Sequence, residues 1–238
     1  MYYNVRIKTF PDGTMQYMFS EQPRQRDYTS DDDVIHDGSS VDRKRVENQS
    51  RRKQKIYDLA RSNSFEWFVT LTFDPEIVDR FDYESCSSAL YAFTHLLAKK
   101  GGFRWIIVPE QHKNGAYHFH GLISGDLSLV RAVHPGTGVP LSDSSGRAIY
   151  NVRDYQAGFT TATAITDQAR AASYLTKYLT KSIQVPKGKK GYWASRNLQK
   201  PVLEYVQMTD RDFGEIFNSS RYQKMIDSPY GEYLLCES

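Results

Sequence analysis

Cysteine is nearly absent. Cys86 and Cys236 are the two in 238 residues, far apart and outside any CxxC spacing. A disulfide framework and a cysteine-held zinc site are therefore excluded. No stretch reaches the ~18 apolar residues that a membrane span needs. Residues 1–8 carry Arg6 and Lys8 where a signal peptide needs an apolar run, so a reducing cytoplasm and no membrane are expected. The chain shows no internal repeat and no GxxxxGK[ST] motif, so no attached P-loop helicase is expected. Charge of one sign is also lacking, because the net value is only +3. That balance permits nucleic-acid binding without demanding it.

Charge is instead segregated along the chain. Residues 21–42 are acid-rich, with Glu21, Asp27, Asp31, Asp32, Asp33, Asp37 and Asp42. Residues 43–61 are basic, through Arg43, Lys44, Arg45, Arg51, Arg52, Lys53, Lys55 and Arg61. Hydrophobic residues make up 39% and aromatics 13%, which marks a globular chain.

Residues 2–9 and 14–20 read as two strands around the turn Pro11-Asp12-Gly13. Residues 21–40 lack periodicity and read as a linker. Residues 41–62 read as a helix with few apolar positions. It is either a solvated surface helix or one whose basic side chains track a DNA backbone. Residues 65–73 (FEWFVTLTF) alternate as a strand, with Phe65, Trp67, Val69, Leu71 and Phe73 on one face and Thr70 and Thr72 on the other. An amphipathic helix over 84–100 uses Leu90, Phe93, Leu96 and Leu97 and stops at Gly101-Gly102. Strands at 103–109 and 116–124 flank the turn Lys113-Asn114-Gly115. After a loop-rich stretch at 125–148 come strands at 149–155 and 158–165 and a helix at 167–182, capped by Thr166 or Asp167. Residues 191–208 read as a strand plus a turn, and 211–226 as a short helix. The short hairpin links in this order predict an α+β fold, an antiparallel sheet of about five strands with flanking helices.

Histidine is scarce, at six residues, yet His118 and His120 stand one residue apart on a strand. Side chains alternate along a strand, so both imidazoles leave the same face and can converge on one ion. Glu110 ends the preceding strand across a short hairpin and supplies a carboxylate; His112 competes with it from the turn. Two imidazoles and a carboxylate suit Mn²⁺ and accept Mg²⁺. Alone, the pair reads equally well as structural histidines.

Residues 174–181 read YLTKYLTK. At about 100° per residue, Tyr174, Lys177, Tyr178 and Lys181 share one arc, while Ala172, Leu175 and Leu179 share another that can pack on the sheet. A phenol with a pKa near 10 is a poor nucleophile unless it is activated. Neighbouring lysines favour the phenolate and can hold a phosphate, and a divalent ion at the histidines would polarise a phosphodiester. An ordinary amphipathic helix with tyrosines at its wet edge would look similar.

Three blocks now stand in order: FVTLTFDPE, EQHKNGAYHFHGLIS and YLTKYLTK. Together, over residues 65–181, they resemble the rolling-circle replication initiators of the HUH endonuclease superfamily. The likeness is nearest to those of small single-stranded DNA phages, filamentous and isometric, and of related plasmids. The resemblance implies a ferredoxin-like or RRM-like sheet with the histidine strand in its middle. It implies metal binding by His118 and His120 and places Glu110 at a third ligand position. It matches Tyr174 and Tyr178 to paired nucleophilic tyrosines and Lys177 and Lys181 to the lysines beside them; if one tyrosine acts, Tyr174 is slightly favoured. It further implies origin-bearing single-stranded DNA as substrate, in the cytoplasm of a bacterial host. A host helicase, DNA polymerase and single-strand binding protein are the implied partners. On this basis the chain divides into residues 1–62 (hairpin, acidic linker, basic helix), an endonuclease domain at 63–185 and a C-terminal extension at 186–238.

Two other readings stay open. A relaxase or transposase of the same superfamily would share the chemistry on another substrate. A non-enzymatic module of RRM type would bind single strands through exposed aromatics on its sheet. The expected open face carries Thr70, Thr72, His118 and His120 instead, which favours a metal site.

Overall fold

The computed structural model describes residues 2–25, 41–178, 185–186, 188–219, 221–228 and 231–237, and for 21–22, 41–47 and 219–237 the backbone alone. In chain order the first elements are β1 (Tyr2–Thr9), β2 (Met15–Gln25), α1 (Val41–Arg61), β3 (Trp67–Phe73), α2 (Tyr83–Lys100), β4 (Arg104–Gln111) and β5 (Tyr117–Ser124). Then follow β6 (Leu129–Arg131), β7 (Tyr150–Val152), β8 (Gly158–Ala164), α3 (Gln168–Tyr178), β9 (Trp193–Ala194), β10 (Val202–Val206), α4 (Asp210–Ser219), β11 (Arg221–Ser228) and β12 (Gly231–Glu237).

Backbone contacts divide the chain into two compact units, one of residues 1–46 with 199–238 and one of residues 47–198. This differs from the three consecutive segments read off the sequence. The reason is pairing between the two ends: β1 pairs with β10 and β2 with β12, in a five-stranded sheet ordered β10-β1-β2-β12-β11. Val5, Ile7 and Tyr17 form its core with Phe19, Met208, Ile216 and Phe217 around them. Residues 21–25, expected in a linker, continue β2. The short helix expected at 211–226 is α4 alone, and β11 follows it. The strand expected within 191–208 is split between β9 of one sheet and β10 of the other.

The second unit is built on a seven-stranded antiparallel sheet ordered β6-β7-β8-β3-β5-β4-β9. The five strands expected here are β3, β4, β5, β7 and β8; β6 and β9, of three and two residues, extend the edges. The fold class is α+β, as expected.

Alternation along the strands sorts their side chains onto two faces. On one face Val69, Leu71, Phe73, Ile107, Phe119 and Ile123 meet Leu90, Phe93 and Leu97 of α2. On the other, Ile106, Val108 and Leu122 meet Ile56, Leu59 and Ala60 of α1 and Ala172 and Leu175 of α3. Three expectations change. Phe65 lies in the second core rather than the first, because it precedes the strand that imposes the alternation. Leu96 is exposed. Helix α1 is anchored by Ile56, which is fully buried, so it is no free surface helix.

Helix ends follow ordinary capping. The Asp82 carboxylate accepts from the Ser85 N–H at the start of α2, and Asp167 accepts from Arg170 at the start of α3. At Gly121 a Cβ would lie 2.8 Å from Ile107 Cγ1 and 3.1 Å from the Ile106 carbonyl oxygen, so glycine lets β4 and β5 close there. No helix among the described residues is long and apolar enough to cross a membrane.

Phe119 lies between the two histidines in sequence but points into the opposite core, fully buried. Phe119→Ala should therefore destabilise the protein by about 3–5 kcal/mol in denaturant unfolding. A loss under 1 kcal/mol would show that this register does not hold the strand.

Candidate active site

The register of β5 against its neighbours assembles the site. His118 pairs with Thr72 on one side and Glu110 on the other; His120 pairs with Thr70 and Val108. Directly paired residues share a face, so both imidazoles, both threonines and Glu110 project together. Each threonine Oγ1 lies 3.1 Å from the Nδ1 of its histidine, Thr70 with His120 and Thr72 with His118. That contact holds Nδ1 and leaves Nε2 to face outward. His120 Nε2 lies 2.7 Å from Glu110 Oε2. His112 reaches the same oxygen at 3.7 Å and stacks on His118, with ring centroids 3.9 Å apart.

Helix α3 sets the tyrosines over this row. Its buried stripe, Ala172 and Leu175, packs on the sheet, and the neighbouring stripe carries Tyr174 and Tyr178. The Tyr178 ring stacks on His120 with centroids 3.8 Å apart and planes 18° apart. Its hydroxyl donates to the Tyr174 hydroxyl at 2.8 Å. Phe68, one step along β3 from the threonines, touches both tyrosines and His120. Lys177 Nζ lies 5.8 Å above the Tyr174 ring.

The electrostatics follow from burial. The His118 imidazole is pushed down to about 4, first by burial and then by the His112 and His120 rings, against the opposing pull of Glu110. It is therefore neutral at ordinary pH, the form that donates an electron pair. Burial first, then the hydrogen bond donated to Tyr174, then the Tyr174 and Glu110 charges, hold the Tyr178 phenol well above the usual tyrosine range.

The family model for the replication-associated protein ORF2 matches residues 66–183. That span runs from the start of β3 through α3 and contains every residue of the histidine row and the tyrosine pair. Residues 66–183 belong to this replication-associated protein family. No curated protein and no solved structure matches the chain significantly. The family assignment agrees with the likeness to rolling-circle replication initiators and makes this a protein of DNA replication.

Within this replication-associated domain the structure brings together Glu110, His118, His120, Tyr174, Tyr178 and Lys177. Lys181 lies outside the described residues, as do the side chains of Arg43, Lys44 and Arg45. Arg51, Lys53 and Lys55 are exposed on α1. Arg52 differs: its guanidinium lies against Gly191, where a Cβ would collide with it, so this cation is used inside the unit. Sequence reasoning gave no role to Phe68, although its place two residues before Thr70 puts it on the same face.

The donor set fits a divalent ion. Two donors on adjacent corners of an octahedral site stand about 3 Å apart, close to the 2.7 Å between His120 Nε2 and Glu110 Oε2. Nitrogen with carboxylate oxygen is the mixture that Mn²⁺ and Mg²⁺ accept. The donors are near one another but not converged: among the described residues, no group of three or more His, Cys, Asp or Glu is gathered as a finished site.

The Tyr174–Tyr178 hydrogen bond has a measurable consequence. Tyr174→Phe removes the acceptor that favours the protonated form of Tyr178, so the Tyr178 phenol should titrate at lower pH. It should still titrate above 10, the ordinary tyrosine value, because burial is the larger cause. Carbon NMR of ring-labelled tyrosine against pH reads this directly, and an unchanged or raised titration would contradict the contact.

Proposed function

We propose that this replication-associated protein is a rolling-circle initiator that nicks and rejoins single-stranded origin DNA through a 5′-phosphotyrosine intermediate. The observation that carries this reading is the stack of Tyr178 on His120, 3.8 Å between centroids, with the Tyr174 hydroxyl 2.8 Å from that of Tyr178. Two phenols therefore stand over the polar row of Glu110, His118 and His120.

The chain's own groups define the chemistry. Tyr174 or Tyr178 attacks the scissile phosphorus; the bond to the 3′-oxygen breaks as the tyrosine ester forms. The phenol proton leaves to solvent, and the 3′-oxygen takes one up as a free 3′-hydroxyl. Of the two, Tyr174 is the more exposed and accepts the hydrogen bond of Tyr178, so it is favoured for the first attack. Tyr178 is then left for the return reaction, in which the displaced 3′-hydroxyl attacks a phosphotyrosine and regenerates the phenol. Lys177, exposed beside Tyr174, is suited to hold a phosphate oxygen. His118, His120 and Glu110 would hold a divalent Mn²⁺ or Mg²⁺ ion, with Thr70 and Thr72 orienting the imidazoles from behind. When bound, such an ion would polarise the phosphodiester and offset the charge that builds there.

The freed 3′-end suits a host DNA polymerase, with a host helicase and single-strand binding protein opening and covering the strand, in the cytoplasm of a bacterial host. One observation favours a relaxase instead: His112 brings a third imidazole against His118. The family match favours replication.

The test is a nicking assay on origin-bearing single-stranded DNA with Mn²⁺. His118→Ala and His120→Ala should each slow nicking about a hundredfold or more. EDTA should abolish it and added Mn²⁺ restore it. Thr72→Val, which loosens His118 alone, should weaken Mn²⁺ binding about tenfold or more in calorimetry. A Tyr174→Phe, Tyr178→Phe double variant that still nicks at the wild-type rate would overturn the reading.

A further inference from the structure

The histidine row does not end at β3. Thr72 pairs with His118 on one side and with Phe159 of β8 on the other. Phe159, Thr72, His118 and Glu110 thus form one line across four strands, on one face of the sheet. Helix α3 packs on β4 and β5 and leaves the β8 side of this face open. There Phe159 is 67% exposed, and its neighbour on the same face, Thr161, is exposed as well. A benzyl group held in water beside a polar row is a poor use of a core-forming residue unless something covers it.

A second observation lies at the same end of the row. The Arg80 carbonyl accepts from the Tyr117 N–H at 2.8 Å, which places Arg80 beside the residue preceding His118. Its Nε is buried and finds no hydrogen-bond partner among the described residues, and its guanidinium makes no ion pair with their carboxylates. The guanidinium lies 5.4 Å over the ring of Phe81, itself exposed. A half-buried cation with an unsatisfied N–H, next to an open aromatic, is complementary to a phosphate joined to a base.

We propose that single-stranded DNA lies along this β8 side, with one base stacked on Phe159 and an adjoining backbone phosphate held by Arg80. This deepens the nicking reading and rests on it. The strip continues the line of Glu110 and His118, so a strand seated there leads its next phosphate to the histidines, under the tyrosines. Phe159 then sets which nucleotide is presented for cleavage. It supplies the exposed aromatic that the sequence alone did not place on this face.

Binding and cleavage can be read separately. The probe for binding is a fluorescein-labelled oligothymidylate of about 15 nucleotides, with the full chain, in EDTA, followed by anisotropy. Phe159→Ala should weaken binding about tenfold, equivalent to about 1.4 kcal/mol, at an unchanged melting temperature. Phe159→Trp should restore it. Arg80→Ala should lower the slope of log affinity against log salt by about 0.7, the value of one lost single-strand phosphate contact. Phe159→Ala binding like the wild type would overturn the stacking site, and an unchanged salt slope for Arg80→Ala would overturn the phosphate contact. The nicking assay separates the two readings. Wild-type nicking together with full binding by Phe159→Ala removes the strip and leaves the nickase. Lost binding by that variant, in a protein that never nicks origin DNA, supports the strip and removes the nickase.

Discussion

The register between β3 and β5 sets Thr70 against His120 and Thr72 against His118, and the pleat then turns both imidazoles toward the face that α3 covers. The residues between them, Phe119 and Leu71, point the other way and are fully buried against the core of α2. A slip of one residue would bury two imidazoles and expose that core. Packing on one face therefore fixes chemistry on the other. The same ladder, carried through β4, brings Glu110 opposite His118, and carried through β8 brings Phe159 opposite Thr72.

Helix α3 adds the second half of the site by a similar division of labour. Ala172 and Leu175 are fully buried, so the rotation of the helix about its axis is set by packing rather than by the tyrosines. Tyr178 is carried onto His120 and Tyr174 to the open edge as a consequence. Burial costs the phenol of Tyr178 its acidity, and the carboxylate of Glu110 works in the same direction. A bound cation and a phosphate close to the phenols would act against both effects, so this arrangement gains reactivity when the substrate arrives.

Much of this was legible in the sequence because the signals are periodic. The alternation in FEWFVTLTF and the His-x-His spacing set faces without knowledge of partners, and the stripe in YLTKYLTK set the exposed side of α3. What the sequence hid was pairing between distant segments. Nothing local in residues 202–206 announces that β10 joins β1, and nothing in residues 231–237 announces β12 beside β2. The face of Phe65 was misjudged because alternation was extended past the end of the strand. Phe159 went unnoticed for a related reason: its place in the histidine row depends on β8 pairing with β3, a choice of neighbour that periodicity does not encode.

The central claim is that a tyrosine of α3, held over the histidine row, becomes covalently joined to DNA. Peptide mapping by mass spectrometry tests it most directly, after reaction of the full chain with origin-bearing single-stranded DNA and Mn²⁺ and nuclease trimming of the bound strand. The account predicts a nucleotide 5′-phosphate on Tyr174 or Tyr178 and on no other residue. Nicked DNA with no modified peptide, or a nucleotide carried by a residue outside α3, would contradict it.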